Sequence, residues 1–370
     1  MHKKISEFLR TRIDAGDFPS EVYLVAEKGE IKFRDALGYA VVEPESIEAR
    51  VDTIYDLASL TKPLMTGLMA AQQIEDGDLQ LDAKIGDHLP IFDGSNVGTR
   101  TIKDLAVHSS GLPAWKPLYL LAESPADIGR VIAEAEPEDA GTKVIYSDLN
   151  FVALALAIEG PRPDLEFDLE VATRLGLTRT FFNPVPRGLD RTETAASENG
   201  NEYEKQTCID LGYLEQPLGD GAKNRFRNGE IWGEVHDGNA YFMGGVGGHA
   251  GLFSTAEEVF KIAQQFLPNY TQLLKPETCS LFRTNYTKGL NEDRSFAFQL
   301  ASTEASTAGA KMSAESFGHT GFTGTSLWID PVKERVFILL TNRTHNHPLP
   351  FVNINSVRRT FHDLTCEILQ

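Results

Sequence analysis

The stretch Ser59-Leu60-Thr61-Lys62 stands between Tyr55-Asp56-Leu57 and an apolar run over residues 64–74. Residues i and i+3 share a face of a helix, so a serine at a helix start can meet a lysine one turn later. The positive end of the helix dipole also favours charge on the serine oxygen. Pro63 disfavours ordinary helical geometry here, so we expect an unusual first turn. We interpret Ser59 and Lys62 as a nucleophile and its activating lysine; a helix cap with a solvated lysine is the alternative.

Two further segments provide the other groups that a serine nucleophile needs. Tyr146-Ser147-Asp148 precedes an apolar run over residues 151–158, which predicts that Tyr146 lies on a loop just before a buried helix. Later, Ser316-Phe317-Gly318-His319-Thr320-Gly321 leads into strand formers at 325–329, which predicts a strand edge that lines a cleft. The alternatives are a core tyrosine at Tyr146 and a structural histidine at His319.

The three motifs S-x-x-K, Y-S-[ND] and H-T-G, in this order over about 260 residues, resemble the serine β-lactamase-like family. This family includes class C β-lactamases, D-alanyl-D-alanine carboxypeptidases, D-aminopeptidases and lactamase-like carboxylesterases. LAVHSSGLP at 105–113 and VHDGNAYFMGGVGGHAGLFST at 235–255 also resemble family segments. We interpret His108, within the first of these phrases, as a structural hydrogen-bonding residue at a helix end.

The resemblance implies a serine hydrolase that works through an acyl-enzyme. Ser59 would attack a carbonyl carbon, and Lys62 and Tyr146 would share the role of base. The backbone N–H groups of Ser59 and Phe322 would form the oxyanion hole. The implied substrate-binding residues are Asp148, His319, Thr320, Gly321 and Phe322. Which of Lys62 and Tyr146 accepts the serine proton is left open.

Two residues depart from the family pattern. Asp148 stands where Asn is usual, which changes the contact that an amide would make. His319 stands where most of the β-lactamases have Lys, and a neutral imidazole gives a substrate carboxylate less help than an ammonium does. We therefore expect short-chain esters to be better substrates than β-lactams. Lowering the pH toward about 6 is expected to protonate His319 and to narrow this preference.

The pattern of elements predicts an α+β fold of the β-lactamase/transpeptidase type, with an antiparallel sheet flanked by terminal helices and a mainly helical insertion. Apolar residues Ile5, Phe8, Leu9 and Ile13 predict an amphipathic first helix, followed by a hairpin over 22–33. A second hairpin over 327–340 and a helix over 354–368 mirror them at the other end. Residues 1–58 and 288–370 would form one lobe and residues 59–287 the other, with the active site in the cleft between them.

Composition limits the partners. The 370 residues, 41% of them hydrophobic and 24% charged, are ordinary for a globular protein, and the net charge of −18 disfavours nucleic acid and anionic membranes as partners. No run of 18 apolar residues is present. His345-Asn346-His347 and His236-Asp237 lack a third ligand, and the G-x-G-x-x-A pattern at 245–250 lacks a βαβ setting, so we expect no metal and no cofactor. The oligomeric state is left open.

Cys208, Cys279 and Cys366 are widely spaced and form no C-x-x-C, which favours buried thiols in a reducing compartment over a disulfide framework; a single disulfide is the alternative. Charged residues interrupt the apolar run that a signal peptide needs after Lys3 and Lys4. We therefore expect a cytoplasmic protein, or a periplasmic or secreted one if a leader was removed.

Three functions follow from these expectations. The first is a carboxylesterase-type hydrolase of small esters. The second is a D-alanyl-D-alanine carboxypeptidase, a D-aminopeptidase or a weak β-lactamase. The third is a non-catalytic scaffold homologue. The substrate would be a small ester, amide or lactam.

Overall fold

The computed structural model describes residues 1–159, 164, 167–215 and 225–370, and an antiparallel sheet lies at its centre. Within these residues the sheet has eight strands in the order β3-β2-β1-β13-β12-β11-β10-β9. A smaller sheet has the order β4-β8-β5, and β6 pairs with β7. The strands are β1 Ser20–Glu27, β2 Glu30–Val41, β3 Ile47–Glu48, β4 Tyr55–Asp56, β5 Phe181–Phe182, β6 Ala196–Asn199, β7 Glu230–Trp232, β8 Leu252–Ser254, β9 Arg294–Ser295, β10 Phe298–Leu300, β11 Phe317–Thr320, β12 Ser326–Asp330 and β13 Arg335–Thr341.

Both faces of the central strands are buried, because successive side chains point to opposite faces. On β1, Val22 and Leu24 contribute to the large core, whereas Tyr23 and Val25 contribute to a second core. The second core also holds Leu9 and Phe361 of the terminal helices. Such a sheet must be covered on each side, and helices cover it here.

The structure confirms the predicted fold class, α+β of the β-lactamase/transpeptidase type, with both terminal helices and both hairpins. The α-helices are Lys3–Asp14, Leu68–Asp76, Ile85–His88, Ile102–Ala106, Leu118–Leu121, Ile128–Ala133, Asp148–Glu159, Thr173–Leu175, Glu202–Asp210, Gly238–Phe242, Ala256–Ala263 and Asn355–Ile368. Short 3₁₀ segments are Ala58–Leu60, Pro90–Phe92, Val97–Thr99, Pro125–Asp127, Arg191–Glu193, Gln264–Phe266 and Thr278–Phe282, and π-helical turns span Lys62–Gly67 and Asp168–Ala172.

The chain between the outer segments supplies most helices that pack on the inner face of the sheet. Leu64 and Leu68, just after the S-x-x-K stretch, are fully buried in the large core with Leu154 of the helix Asp148–Glu159. This packing fixes the start of both helices relative to the sheet. The division into lobes of 1–58 with 288–370 and 59–287 stays a prediction.

The structure also describes the three cysteines and the length of the helices. Cys208, Cys279 and Cys366 are free and buried. Among the described residues, no helix combines the length and the apolar character needed to cross a bilayer.

Candidate active site

Ser59 lies in a distorted turn at the head of a long helical segment. The 3₁₀ turn Ala58–Leu60 passes into the π-helical turn Lys62–Gly67 and then into the α-helix Leu68–Asp76. The predicted unusual first turn is therefore present, and Pro63 lies within it. Ala58, directly before Ser59, has a φ of +47°, a conformation that costs a non-glycine residue about 1–2 kcal/mol.

Asp56 holds this turn in place. Its Oδ1 accepts a hydrogen bond from the N–H of Ala58 at 2.8 Å, and its Oδ2 accepts one from the N–H of His236 at 2.7 Å. The two bonds offset the strain at Ala58 and tie the serine turn to the segment around residue 236. Asp56 is fully buried, and burial raises the pKa of its carboxyl.

Lys62 lies beneath Ser59 with its side chain fully buried. Its Nζ donates to Ser59 Oγ at 2.8 Å and to the carbonyl of His249 at 3.2 Å, and it forms an ion pair with Asp148 Oδ1 at 2.7 Å. Burial opposes the charge, but the Asp148 carboxylate and the phenolic oxygen of Tyr146 outweigh it and raise the pKa of Lys62. These contacts favour the ammonium form of Lys62.

Tyr146 has two cations near its ring and lies on the loop before the helix Asp148–Glu159, as the sequence predicts. Lys62 Nζ is 5.0 Å and Arg294 Cζ is 5.2 Å from its ring centroid. The His108 ring packs on it at 4.5 Å between centroids, and His108 Nδ1 accepts from the N–H of Ser147 at 3.0 Å. His108 thus holds the Tyr146 loop, which agrees with a structural role.

His319 is buried on β11 and is uncharged. A carbonyl only accepts, so Nδ1 carries the proton and donates to the Thr320 carbonyl at 3.0 Å, which leaves Nε2 as a bare acceptor. Burial lowers the pKa of His319 well below its ordinary value, and the positive charges of Lys62 and Arg294 lower it further. The expectation that His319 is protonated near pH 6 is therefore wrong.

The loop after β11 packs directly on the residues before Ser59. Thr323 Oγ1 donates to the carbonyl of Asp56 at 2.8 Å, and Thr325 Oγ1 donates to that of Leu57 at 3.0 Å. A side chain at Gly321 would place its Cβ 2.6 Å from the Leu57 carbonyl oxygen, so only glycine allows this approach. The loop thereby brings Phe322 next to the serine turn.

Two arginines hold the other side of this loop. Arg358 Nη2 donates to the carbonyls of Gly321 at 3.0 Å and Thr325 at 2.9 Å, and Arg343 Nε donates to that of Phe322 at 2.8 Å. Burial lowers the pKa of Arg358 to about 9, and the neighbouring charge of Arg343 contributes. The position of the Phe322 N–H is thus determined from both sides.

A cavity of about 1000 Å³ joins these groups. Its lining includes all of the predicted site residues except Lys62, which lies below the surface behind Ser59: Ser59, Tyr146, Asp148, His319, Thr320, Gly321 and Phe322. Of the described residues, none form a group of three or more His, Cys, Asp and Glu side chains that could hold a metal ion.

Arg294 is one of the residues of this cavity that the sequence did not reveal, as are Arg343 and Arg358. It lies on β9 with its side chain 5% exposed, and Glu292 Oε1 is 2.7 Å from its Nη2. Its Nε and Nη1 have no hydrogen-bond partner within the part of the chain that the structure describes. A lone arginine outside any motif carries no sequence signal, because only the pairing of β9 with β10 places it in the cleft.

The buried lysine beside a serine, in a cleft between an antiparallel sheet and a helical segment, defines the class of protein as a serine hydrolase. The family described as Beta-lactamase matches residues 5–359, and the chain belongs to this family. A protein of Escherichia coli K12, provisionally named D-alanyl-D-alanine carboxypeptidase, is 31% identical over 93% of this chain and 82% of its own length. A similarly named protein of Salmonella typhimurium LT2 is 29% identical over 93% of this chain and 83% of its own.

Solved structures of low identity share the fold. EstCE1, described as a hydrolase with promiscuous acyltransferase activity, has a TM-score of 0.70 and 21% identity, covering 97% of both chains. The simvastatin synthase LovD from Aspergillus terreus has a TM-score of 0.72 and 18% identity, covering 100% of this chain and 98% of its own.

Proposed function

We propose that this hydrolase forms an acyl-enzyme on Ser59, with Lys62 and Tyr146 acting as one unit. The observation that carries the proposal is the 2.8 Å contact between Lys62 Nζ and Ser59 Oγ at the edge of the cavity. Effective proton transfer and nucleophilic attack need such preformed contacts. The N–H groups of Ser59 and Phe322 are the proposed oxyanion donors, supported by the bonds of Thr323 and Thr325 to the serine turn.

For the substrate, we propose a peptide with a free C-terminal carboxylate, cleaved as by a D-alanyl-D-alanine carboxypeptidase. The preference for esters was expected because His319 provides no permanent charge. Arg294, however, adds a permanent cation to the same wall, with two nitrogen atoms that lack a partner among the described residues. A carboxylate is the natural partner of a guanidinium group. The provisional name of the Escherichia coli relative supports the same choice.

The carboxylesterase is the second candidate. A neutral His319 with a bare Nε2 favours a substrate that brings no carboxylate to that position. The fold of EstCE1 is compatible with this candidate. A non-catalytic scaffold is disfavoured, because Ser59, Lys62 and Tyr146 keep their mutual contacts. A cytoplasmic location stays a prediction; it would disfavour cell-wall peptides as substrates.

The deciding experiment compares four substrates: a D-alanyl-D-alanine peptide, the same peptide as its C-terminal amide, p-nitrophenyl acetate and nitrocefin. We expect the free acid to be cleaved faster than the amide, and Ser59→Ala to abolish all turnover. Arg294→Gln should lower kcat/KM for the acid by about 10- to 100-fold, the worth of one charge-assisted hydrogen bond, and change ester hydrolysis less.

A matched control is Arg191→Gln, which removes a guanidinium stacked at 4.4 Å on Trp232, away from the cavity. This variant should leave every rate unchanged. Equal rates for the acid and the amide, or a wild type that prefers the acetate ester to the peptide, would favour the esterase. If Arg294→Gln lowers kcat/KM equally for all four substrates, Arg294 acts through Tyr146 and does not bind the substrate carboxylate.

A further inference from the structure

Three oxygen atoms surround the buried ammonium group of Lys62. They belong to Ser59 Oγ, the His249 carbonyl and Asp148 Oδ1, at 2.8, 3.2 and 2.7 Å. An ammonium group has three N–H donors and no acceptor, so three surrounding oxygen atoms favour the charged form. The contacts with Ser59 Oγ and the His249 carbonyl are hydrogen bonds, and the contact with Asp148 Oδ1 is an ion pair. A neutral amine in the same place would have to turn its lone pair toward one of three oxygen acceptors.

The carboxylate of Asp148 distinguishes this arrangement from one with an amide at the same position. An Asn side chain can also accept a hydrogen bond from Lys62, but it brings no negative charge. The Asp148 side chain is 17% exposed and that of Lys62 is fully buried, so water screens the pair weakly. We propose that Asp148 keeps Lys62 protonated throughout the reaction, so that Tyr146 alone exchanges the proton with Ser59 and the leaving group.

The proposal rests on the acyl-enzyme chemistry proposed above. Ser59 Oγ bonds to the carbonyl carbon while its proton passes to the phenolate oxygen of Tyr146. The bond from that carbon to the leaving group then breaks, and Tyr146 returns the proton to the leaving group. Water repeats the two steps on the acyl-enzyme, which releases the acid and restores the serine hydroxyl. Lys62 keeps its three protons in every step.

The remaining charged groups near Lys62 do not supply another carboxylate at the same distance. His108 and His319 are held neutral, because burial and nearby cations lower the pKa of each well below its ordinary value. Asp237 is paired with His249 Nε2 at 3.0 Å and makes no ion pair with Lys62 among the described contacts, although the charge of Lys62 contributes to lowering its pKa. Arg294 lies over the Tyr146 ring and opposes any further positive charge. Asp148 is therefore the described group that most favours the charged lysine.

The test measures how fast a fluorophosphonate probe labels Ser59 as a function of pH, which reports on the nucleophile whatever the natural substrate is. In the wild type, we expect no loss of labelling rate up to pH about 10. In Asp148→Asn, burial is no longer opposed by the carboxylate, so Lys62 loses its proton at lower pH. The labelling rate of this variant should then fall about tenfold per pH unit above that point.

Asp82→Asn is the matched control, because Asp82 Oδ1 is also 2.7 Å from a lysine, Lys103, but on the surface. It should leave the profile unchanged. An Asp148→Asn rate that rises with pH over a range where the wild-type rate does not would identify neutral Lys62 as the base and overturn the proposal, as would a profile like that of the wild type. Labelling of Ser59→Ala would instead overturn the proposed function.

A second measurement does not depend on activity. In protein labelled with ¹³C at lysine Cε, the Lys62 resonance, assigned by its loss in Lys62→Met, should show no titration up to pH about 10 in the wild type. It should titrate at lower pH in Asp148→Asn and stay unchanged in Asp82→Asn. Equal titration of Lys62 in all three proteins would contradict the proposal.

Discussion

The cleft has two walls, which differ in how well their polar groups are paired. The serine wall contains Ser59 and Lys62, and the strand wall contains His319 and Arg294. On the serine wall, Asp56 and Lys62 each make several contacts, and these contacts link the residues of the nucleophile turn to one another. On the strand wall, His319 Nε2 and Arg294 Nε and Nη1 lack partners among the described residues although they are buried. A buried polar atom without a partner costs about 1–3 kcal/mol. On the strand wall the cost lies in unpaired polar atoms that a ligand could pair, whereas the strain at Ala58 on the serine wall lies in the backbone.

This difference in pairing indicates that the two walls have different roles in the reaction. The serine wall is already organised for one chemical step, and a substrate needs to change little there. The strand wall is incomplete until a ligand supplies an acceptor for Arg294 and a donor for His319. We therefore expect substitutions on the serine wall to abolish the reaction for every substrate, whereas substitutions on the strand wall should change the order of preference.

The largest effect is expected for Ser59→Ala, which removes the nucleophile and leaves the strand wall intact. kcat should fall by about 10⁴-fold or more for every substrate, while the Kd of a slowly cleaved peptide stays within about twofold. Steady-state kinetics and calorimetric binding check the two halves of this prediction. Ser302→Ala, at an exposed serine, is the control. Undiminished turnover in Ser59→Ala would show that Ser59 is not the nucleophile and that the serine wall does not carry out the reaction.

The next effect concerns Lys62 and Tyr146. If the two residues act as a unit, Lys62→Met and Tyr146→Phe should each lower kcat by about 10²- to 10⁴-fold, and the double variant should lose little more. The physical reason is that either change removes the same proton-transfer step. Labelling of Ser59 by a fluorophosphonate, compared across the three variants, measures the loss. Losses that multiply in the double variant would show two independent contributions.

The serine wall was largely predictable from the sequence, and the strand wall was predictable only in part. Ser59 and Lys62 meet through the local geometry of one helical turn, and Tyr146 lies on the loop that its flanking residues predict. Alternating apolar residues likewise indicate the strands and terminal helices. Arg294, in contrast, reaches the cleft through strand pairing, which no short motif records.

The charge state of His319 could not be predicted from the sequence. It depends on burial and on two cations, Lys62 and Arg294, that come from distant parts of the chain. The ion pair between Lys62 and Asp148 is a similar case, since 86 positions separate the two residues in the sequence. Motifs thus locate the groups, whereas the fold determines their protonation.

A smaller effect is expected on the strand wall from His319→Lys. The wild-type ratio of kcat/KM for p-nitrophenyl acetate to that for nitrocefin should exceed one and should stay constant from pH 8 to about 6, because the lowered pKa keeps His319 neutral throughout this range. His319→Lys should narrow the ratio by about tenfold at neutral pH, if the new ammonium is charged beside Lys62 and Arg294.

Gln serves as the matched neutral control at this position, and His319→Gln should leave the ratio nearly unchanged. A wild-type ratio that falls toward pH 6 would contradict the neutral state of His319. A ratio that is the same in His319→Lys and the wild type would show that this residue does not determine the choice between ester and lactam.

The smallest effect is expected where the two walls join. Thr323→Val keeps the shape of the side chain but removes the hydroxyl that donates to the Asp56 carbonyl at 2.8 Å. One neutral hydrogen bond contributes about 0.5–1.5 kcal/mol, so the labelling rate of Ser59 should fall by about two- to tenfold if the bond positions the loop that carries Phe322. Thr284→Val, which removes a surface hydroxyl bond of the same 2.8 Å length to the Ser280 carbonyl, should leave the rate unchanged. If Thr323→Val lowers Tm like any buried threonine but labels at the wild-type rate, the contact serves stability alone, and the two walls are less closely coupled than their hydrogen bonds suggest.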